Sequence, residues 1–284
     1  MDILFSTIIS TEELLANLST LGWVIVDCRF DLSNPTWGQF DYEQFHIPGA
    51  VYANLKSDLS GLVNLKSGRH PLPDSDVFFR TCSNLGIDIN TQVIVYDTTS
   101  GSMASRLWFL LKYYGHNAVG LLDGGFVKWL ADKNPTESGF NKNKPAHFKG
   151  KSDPSMIISS SELMKIAPLS DYMIIDARAP ERYTGKMEPI DPVAGRIPGA
   201  VNRFHGNNLD KVGMFLPQQT MKEGFLNLLN GVKPENAVVY CGSGVTSCLH
   251  LVAMAHAGIP LAKLYAGSWS EWISDPANPI TKDI

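Results

Sequence analysis

The sequence predicts an α/β protein of two tandem domains, each a mainly parallel central sheet flanked by helices. Three observations predict it. The chain repeats itself once at long period, each copy alternates strand-like and helix-like stretches, and the strand-like stretches are short apolar runs without polar alternation. Alternation of strand and helix favours parallel pairing, because parallel neighbours need a crossover connection. Strands buried on both faces read as continuous apolar runs.

The repeat sets the organisation. Val24-Ile25-Val26-Asp27-Cys28-Arg29 returns as Met173-Ile174-Ile175-Asp176-Ala177-Arg178, an offset of 149 from Asp27 to Asp176. His46-Ile47-Pro48-Gly49-Ala50-Val51 returns as Arg196-Ile197-Pro198-Gly199-Ala200-Val201, offset 150. Val93-Ile94-Val95-Tyr96 returns as Ala237-Val238-Val239-Tyr240, offset 144, and Leu122-Asp123-Gly124-Gly125 with Trp129 returns as Tyr265-Ala266-Gly267-Ser268 with Trp272, offset 143. A kept order with slowly drifting offsets marks a duplicated domain, not a short-period solenoid. A length of 284 residues also suits two domains. Between the copies, residues 133–154 carry Pro135, Gly139, Pro145, Gly150 and Pro154 among Lys and Asn, which is linker chemistry. The expected domains are residues 1–150 and 151–284.

Each copy opens with a helix signal. Ser10 with Glu13, and Ser159 with Glu162, have the spacing of a capping box, in which serine caps the first turn and glutamate reaches back. The runs Val24–Val26 and Met173–Ile175 follow as strands ending in aspartate. A later strand leads to Asp97 in one copy and Cys241 in the other. Helical stretches then span Ser102–Tyr114 and Ser247–Ala257, stopped by Gly115 and Gly258. The Asp27/Arg29 and Asp176/Arg178 pairs occur in both copies, which argues for a structural role: pairing with each other or with loop backbone.

Composition narrows the function classes. Hydrophobic residues make up 44%, charged residues 18%, and the formal net charge is -4. No basic face is implied, so no nucleic-acid partner is expected. The first ten residues include Asp2 and lack the basic, apolar and small-residue pattern of a signal segment. No run approaches the ~20 apolar residues that span a bilayer. A soluble cytoplasmic protein without a membrane partner is expected. The four cysteines, Cys28, Cys82, Cys241 and Cys248, form no CxxC and no zinc-ribbon spacing. No metal and no organic cofactor is expected, and free thiols are the default in a reducing compartment.

The chemistry centres on Cys241. It ends a buried strand and is followed by Gly242, Ser243, Gly244, Val245, Thr246 and Ser247 before a helix begins. Glycines let successive N–H groups turn inward, and a helix start adds partial positive charge. An anion at the loop centre is stabilised, so a thiolate there is favoured. Taken alone, a strand-end cysteine serves packing more often than chemistry. The repeat changes the balance, because the matching loop, Asp97-Thr98-Thr99-Ser100-Gly101-Ser102, keeps its turn residues and lacks the nucleophile. One active and one inactive copy is the expected asymmetry.

Asp-x-Arg, Ile-Pro-Gly-Ala, Cys-Gly-Ser-Gly-Val-Thr and Gly-Ser-Trp-x-Glu-Trp, in that order over nearly the whole chain, resemble tandem rhodanese-domain sulfurtransferases. Within them, the Cys241 loop looks like that of 3-mercaptopyruvate sulfurtransferases. The resemblance implies two rhodanese-like domains, a Cys241 persulfide, and transfer of its outer sulfur to an acceptor thiol, such as thioredoxin or a small thiol, or to cyanide. Thiosulfate-preferring members usually place Arg and Lys just after the cysteine. Gly242 and Ser243 stand there, so a donor with one carboxylate suits the neutral loop better. The resemblance places Arg182 at that carboxylate; taken alone, Arg182 is as well read as a solvated arginine. A second family arginine normally follows Glu-Pro, but Ile190 follows Glu188-Pro189, and Arg196 is the candidate substitute. Ser243 and His70 match two members of a Ser–His–Asp relay, with His70 expected to reach over from the first domain. A solvent-touching loop histidine is the equal alternative. The aspartate's place falls near Lys56, with Asp58 two residues on. Cys248 is expected to pack inward, with a resolving thiol as the minority reading.

Other classes compete. A cysteine phosphatase needs an arginine six positions after the cysteine, where this chain has Ser247. A thiosulfate sulfurtransferase and a non-enzymatic persulfide carrier remain open, because the cradle would be the same.

Overall fold

The computed structural model describes residues 5–283, so the reading of the first ten residues falls partly outside that range. The chain packs as two units. One consists of the chain up to Gly61 together with Pro73–Asp153 and Asp210–Phe215; the other of Leu62–Leu72, Pro154–Leu209 and the chain from Leu216 onward. Each unit therefore takes in a short segment from the other half of the sequence.

The first unit runs β1 (Ile8–Ile9), α1 (Thr11–Asn17), β2 (Trp23–Asp27), α2 (Trp37–Gln44), β3 (Val51–Tyr52), α3 (Ser75–Asn84), β4 (Gln92–Tyr96), α4 (Ala104–Tyr113), β5 (Val119–Leu122) and α5 (Gly125–Ala131). Its strands all pair in parallel, in the order β1-β5-β4-β2-β3. The second runs α6 (Ser160–Ile166), β6 (Met173–Asp176), α7 (Pro180–Thr184), β7 (Val201–Asn202), α8 (Gln218–Leu229), β8 (Ala237–Tyr240), α9 (Cys248–His256), β9 (Lys263–Leu264) and α10 (Ser268–Trp272). Its order, β7-β6-β8-β9, again all parallel, repeats the first. The counterpart of β1 has shrunk to one bridge, Ile157 with Leu264. The predicted α/β class with two parallel sheets is what the chain adopts.

The local signals act as their chemistry requires. Both capping boxes form, Ser10 with Glu13 and Ser159 with Glu162. The central strands β4 and β8 are buried along their whole length, which their unbroken apolar runs anticipate. Gly115 and Gly258 take left-handed φ of 83° and 67°, just past α4 and α9. The Asp-x-Arg pairs are buried ties. Arg29 pairs with Asp27 at 2.6 Å and donates to the Phe45 carbonyl at 2.8 Å. Arg178 pairs with Asp176 at 2.6 Å and donates to the Gly195 carbonyl at 2.7 Å. Each closes a loop onto the end of a central strand, so neither is spare for chemistry.

Among the described residues no helix is long and apolar enough to cross a membrane.

Candidate active site

β8 lies between β6 and β9, and Cys241 follows its last residue. A carboxyl end of a central parallel strand is where α/β folds place ligands. The loop is tied down on both sides. The Cys241 N–H donates to Ser268 Oγ at 3.1 Å, and the Cys241 and Gly242 carbonyls accept from the N–H groups of Trp269 at 3.1 Å and Ser270 at 2.9 Å. Gly244 has φ +72°, and a Cβ there would run into the Ala266 carbonyl oxygen. Only glycine fits both demands.

The first copy shows what this loop binds. Asp97 stands at the cysteine's position, and its carboxylate fills the cradle with its own charge. Oδ1 accepts from the N–H groups of Thr99 at 2.7 Å and Gly101 at 2.9 Å, and Oδ2 from Met103 at 2.7 Å and Ala104 at 2.8 Å. Four backbone donors converge on one anion.

In the second copy a cysteine sulfur takes that position. Cys241 is 2% exposed. Burial pushes its thiol up, but the hydroxyls of Thr246 and Ser247 and the backbone N–H groups of Ser243 and Ser247 more than offset this, and the pKa falls to about 7. The Ser247 hydroxyl is buried without a hydrogen-bond partner among the described residues, and it is one of the groups that lower the thiol pKa. Cys248 is fully buried and its thiol donates to the Gly244 carbonyl at 3.4 Å, so it packs inward as the helix register anticipates.

His70 lies in Leu62–Leu72, which packs as part of the second unit. Its Nδ1 is 2.8 Å from Ser243 Oγ, with both side chains buried. Arg69, beside it, was not among the sequence candidates. A Cβ placed on Gly242 would meet Arg69 Nη2 at 2.8 Å and the Arg182 guanidinium at 3.3 and 3.5 Å. Arg182 is thus brought to the loop, oriented by Glu188 at 2.7 Å and Asp191 at 2.9 Å. Arg69 also pairs with Asp191.

Arg196 makes its contacts elsewhere. Its guanidinium pairs with Asp283 at 2.6 Å and lies 4.4 Å over the Tyr183 ring. These contacts tie the C-terminal strand-like segment to α7 and occupy the Arg196 guanidinium there. Asp58 accepts the Asn54 N–H at 2.7 Å and so closes its own turn. Ser268 was also missed. It holds φ +56°, where the first copy has Gly125 at +57°, and its hydroxyl anchors Cys241. The glycine-to-serine change between the copies was its only signal.

Residues 10–132 and 159–275 each match the rhodanese-like domain. The chain belongs to the rhodanese-like family. Its two rhodanese-like domains align along 96% of the chain, at 42% identity, with 97% of a Pseudomonas aeruginosa protein named a probable 3-mercaptopyruvate sulfurtransferase. The 3-mercaptopyruvate sulfurtransferase of Rattus norvegicus is 33% identical over 82% of this chain and 78% of its own. The solved Escherichia coli 3-mercaptopyruvate sulfotransferase superposes with a TM-score of 0.80 at 27% identity, covering 93% of this chain and 99% of that one. In this rhodanese-like tandem the Asp97 copy has a cradle filled by its own carboxylate, and the Cys241 copy a buried thiol whose pKa is lowered to about 7.

Proposed function

We propose that the protein moves sulfur from 3-mercaptopyruvate to a thiol acceptor through a persulfide on Cys241. The observation that carries this is a buried thiol with a pKa of about 7, ringed by hydroxyl and N–H donors. The thiolate attacks the donor sulfur. A sulfur–sulfur bond forms, the donor carbon–sulfur bond breaks, and the electron pair goes to carbon. The proton from the donor thiol moves to that carbon, leaving pyruvate. The Ser243–His70 pair would hold that proton in transit, a role its 2.8 Å contact supports. An acceptor thiol then takes the outer sulfur and restores the Cys241 thiolate. This is covalent catalysis in two transfers. The cradle that holds the Asp97 carboxylate in one copy would hold the outer sulfur's charge in the other. Arg182 would take the donor carboxylate, since guanidinium forks match it. Acceptors of this chemistry include thioredoxin, small thiols and cyanide. Four buried cysteines, none of them in a disulfide, suit the reducing cytoplasm, where we place the protein.

A second reading has one observation in its favour. The guanidiniums of Arg182 and Arg69 over Gly242 supply the cations that the loop sequence lacks, and these would also suit the thiosulfate dianion. The test compares pyruvate release from 3-mercaptopyruvate with thiocyanate formation from thiosulfate and cyanide. A larger kcat/KM for 3-mercaptopyruvate is expected; a larger value for thiosulfate would reverse the donor assignment. Turnover of neither would point to a persulfide carrier.

The thiol also sets a pH dependence. The thiolate is the nucleophile and its pKa is lowered to about 7, so alkylation of Cys241 by iodoacetamide should rise with pH, pass its midpoint near 7 and level off above it. A midpoint near the ordinary thiol value would contradict the cradle's role.

A further inference from the structure

We propose that Arg69 is a specificity-determining residue: with Arg182 it forms a two-armed guanidinium site over Gly242 that takes the carboxylate of the sulfur donor. This rests on the donor reading above. The position after Glu188-Pro189 holds Ile190, 44% exposed and without charge. A different segment fills the gap. Both guanidiniums approach one point of loop backbone, next to Cys241, and a side chain at Gly242 would collide with Arg69 Nη2 at 2.8 Å. Glycine leaves that space to the arginine.

The pair is built rather than loose. The Asp191 side chain, 2% exposed, binds Arg69 through Oδ1 and Arg182 through Oδ2. One carboxylate gripping two guanidiniums fixes their separation. Each guanidinium has five N–H donors, more than Asp191 and Glu188 consume. Arg69 Nε is buried and has no hydrogen-bond partner among the described residues. Burial disfavours the Arg69 charge, the Cys241 thiolate favours it, and nearby Arg182 disfavours it. Two cations held this close lower their mutual repulsion by taking an anion between them.

The backbone that carries Arg69 is also fixed. Its N–H donates to Ser270 Oγ at 3.0 Å, and Gly68 sits against the Gly267 carbonyl where a Cβ would clash. His70 follows directly. One segment therefore brings both the carboxylate arm and the Ser243 partner to the Cys241 loop.

Iodoacetate and iodoacetamide test this on the full chain without relying on sulfur transfer. In both, the thiolate attacks the methylene carbon, a sulfur–carbon bond forms and iodide leaves, but only iodoacetate brings a carboxylate. Rates at Cys241 are read by peptide mass spectrometry at a pH well above the thiol midpoint. The ratio of iodoacetate to iodoacetamide rates should fall about tenfold in Arg69→Ala, and less in Arg69→Lys, which keeps charge without the fork. Arg69→Gln, close in length, gives the same reading if the alanine variant fails to fold. An unchanged ratio in the folded variants overturns the site. A falling ratio in a protein that turns over no 3-mercaptopyruvate supports the arginine site and removes that donor instead.

Discussion

Cys241→Ser should abolish sulfur transfer, lowering kcat/KM by at least about 10³-fold with either donor. A serine hydroxyl cannot form a persulfide, and its proton is held far too tightly for the cradle to release. The fold should survive. The side chain is 2% exposed at a strand end, the backbone ties to Ser268, Trp269 and Ser270 do not involve the sulfur, and serine fits the same space. Pyruvate release, thiocyanate formation and the mass of the donor-treated protein check this together with thermal unfolding. Retained turnover with a normal melting curve would move the chemistry away from Cys241.

Gly244→Ala should be nearly as damaging, for a reason of backbone geometry. The residue holds φ +72°, which costs an L-residue roughly 1–2 kcal/mol, and its Cβ would enter the Ala266 carbonyl. The loop must move, and with it the Thr246 and Ser247 donors that lower the thiol pKa to about 7. A misplacement of about 1 Å can cost on the order of 10²-fold in rate. Both a loss of that size in kcat/KM and an upward shift of the alkylation midpoint are expected. Gly258→Ala is the control. It also has positive φ, +67°, but meets nothing within 4 Å, so it should cost a little stability and no activity. If both variants keep full activity and the same midpoint, the cradle's exact shape does not matter to the thiol.

The parts of the fold that lie within a few residues of one another were legible. Capping boxes, unbroken apolar strands, stop glycines and Asp-x-Arg ties are local devices, and each appears where its residues predict. The Cys241 loop was legible for the same reason, helped by comparison with Asp97. The parts that failed depend on distant pairing. Resemblance brought only His70 of residues 62–72 toward Ser243, and nothing in their pattern shows that the whole segment packs with the second half of the chain, so Arg69 went unseen. Arg196 is the candidate substitute for the arginine missing after Glu188-Pro189, yet sequence position says nothing about where a long flexible side chain ends, and Asp283 pairs with it.

By itself, then, the sequence determined a duplicated α/β chain, a single nucleophile at a strand end, and a loop made to hold an anion, because strand burial, glycine turns and helix starts are short-range physics. Tertiary structure decided which further charge meets that anion. Arg69 and His70 come from one segment and Arg182 from another far away in sequence, and the packing of Leu62–Leu72 and the shared grip of Asp191 bring them to one loop.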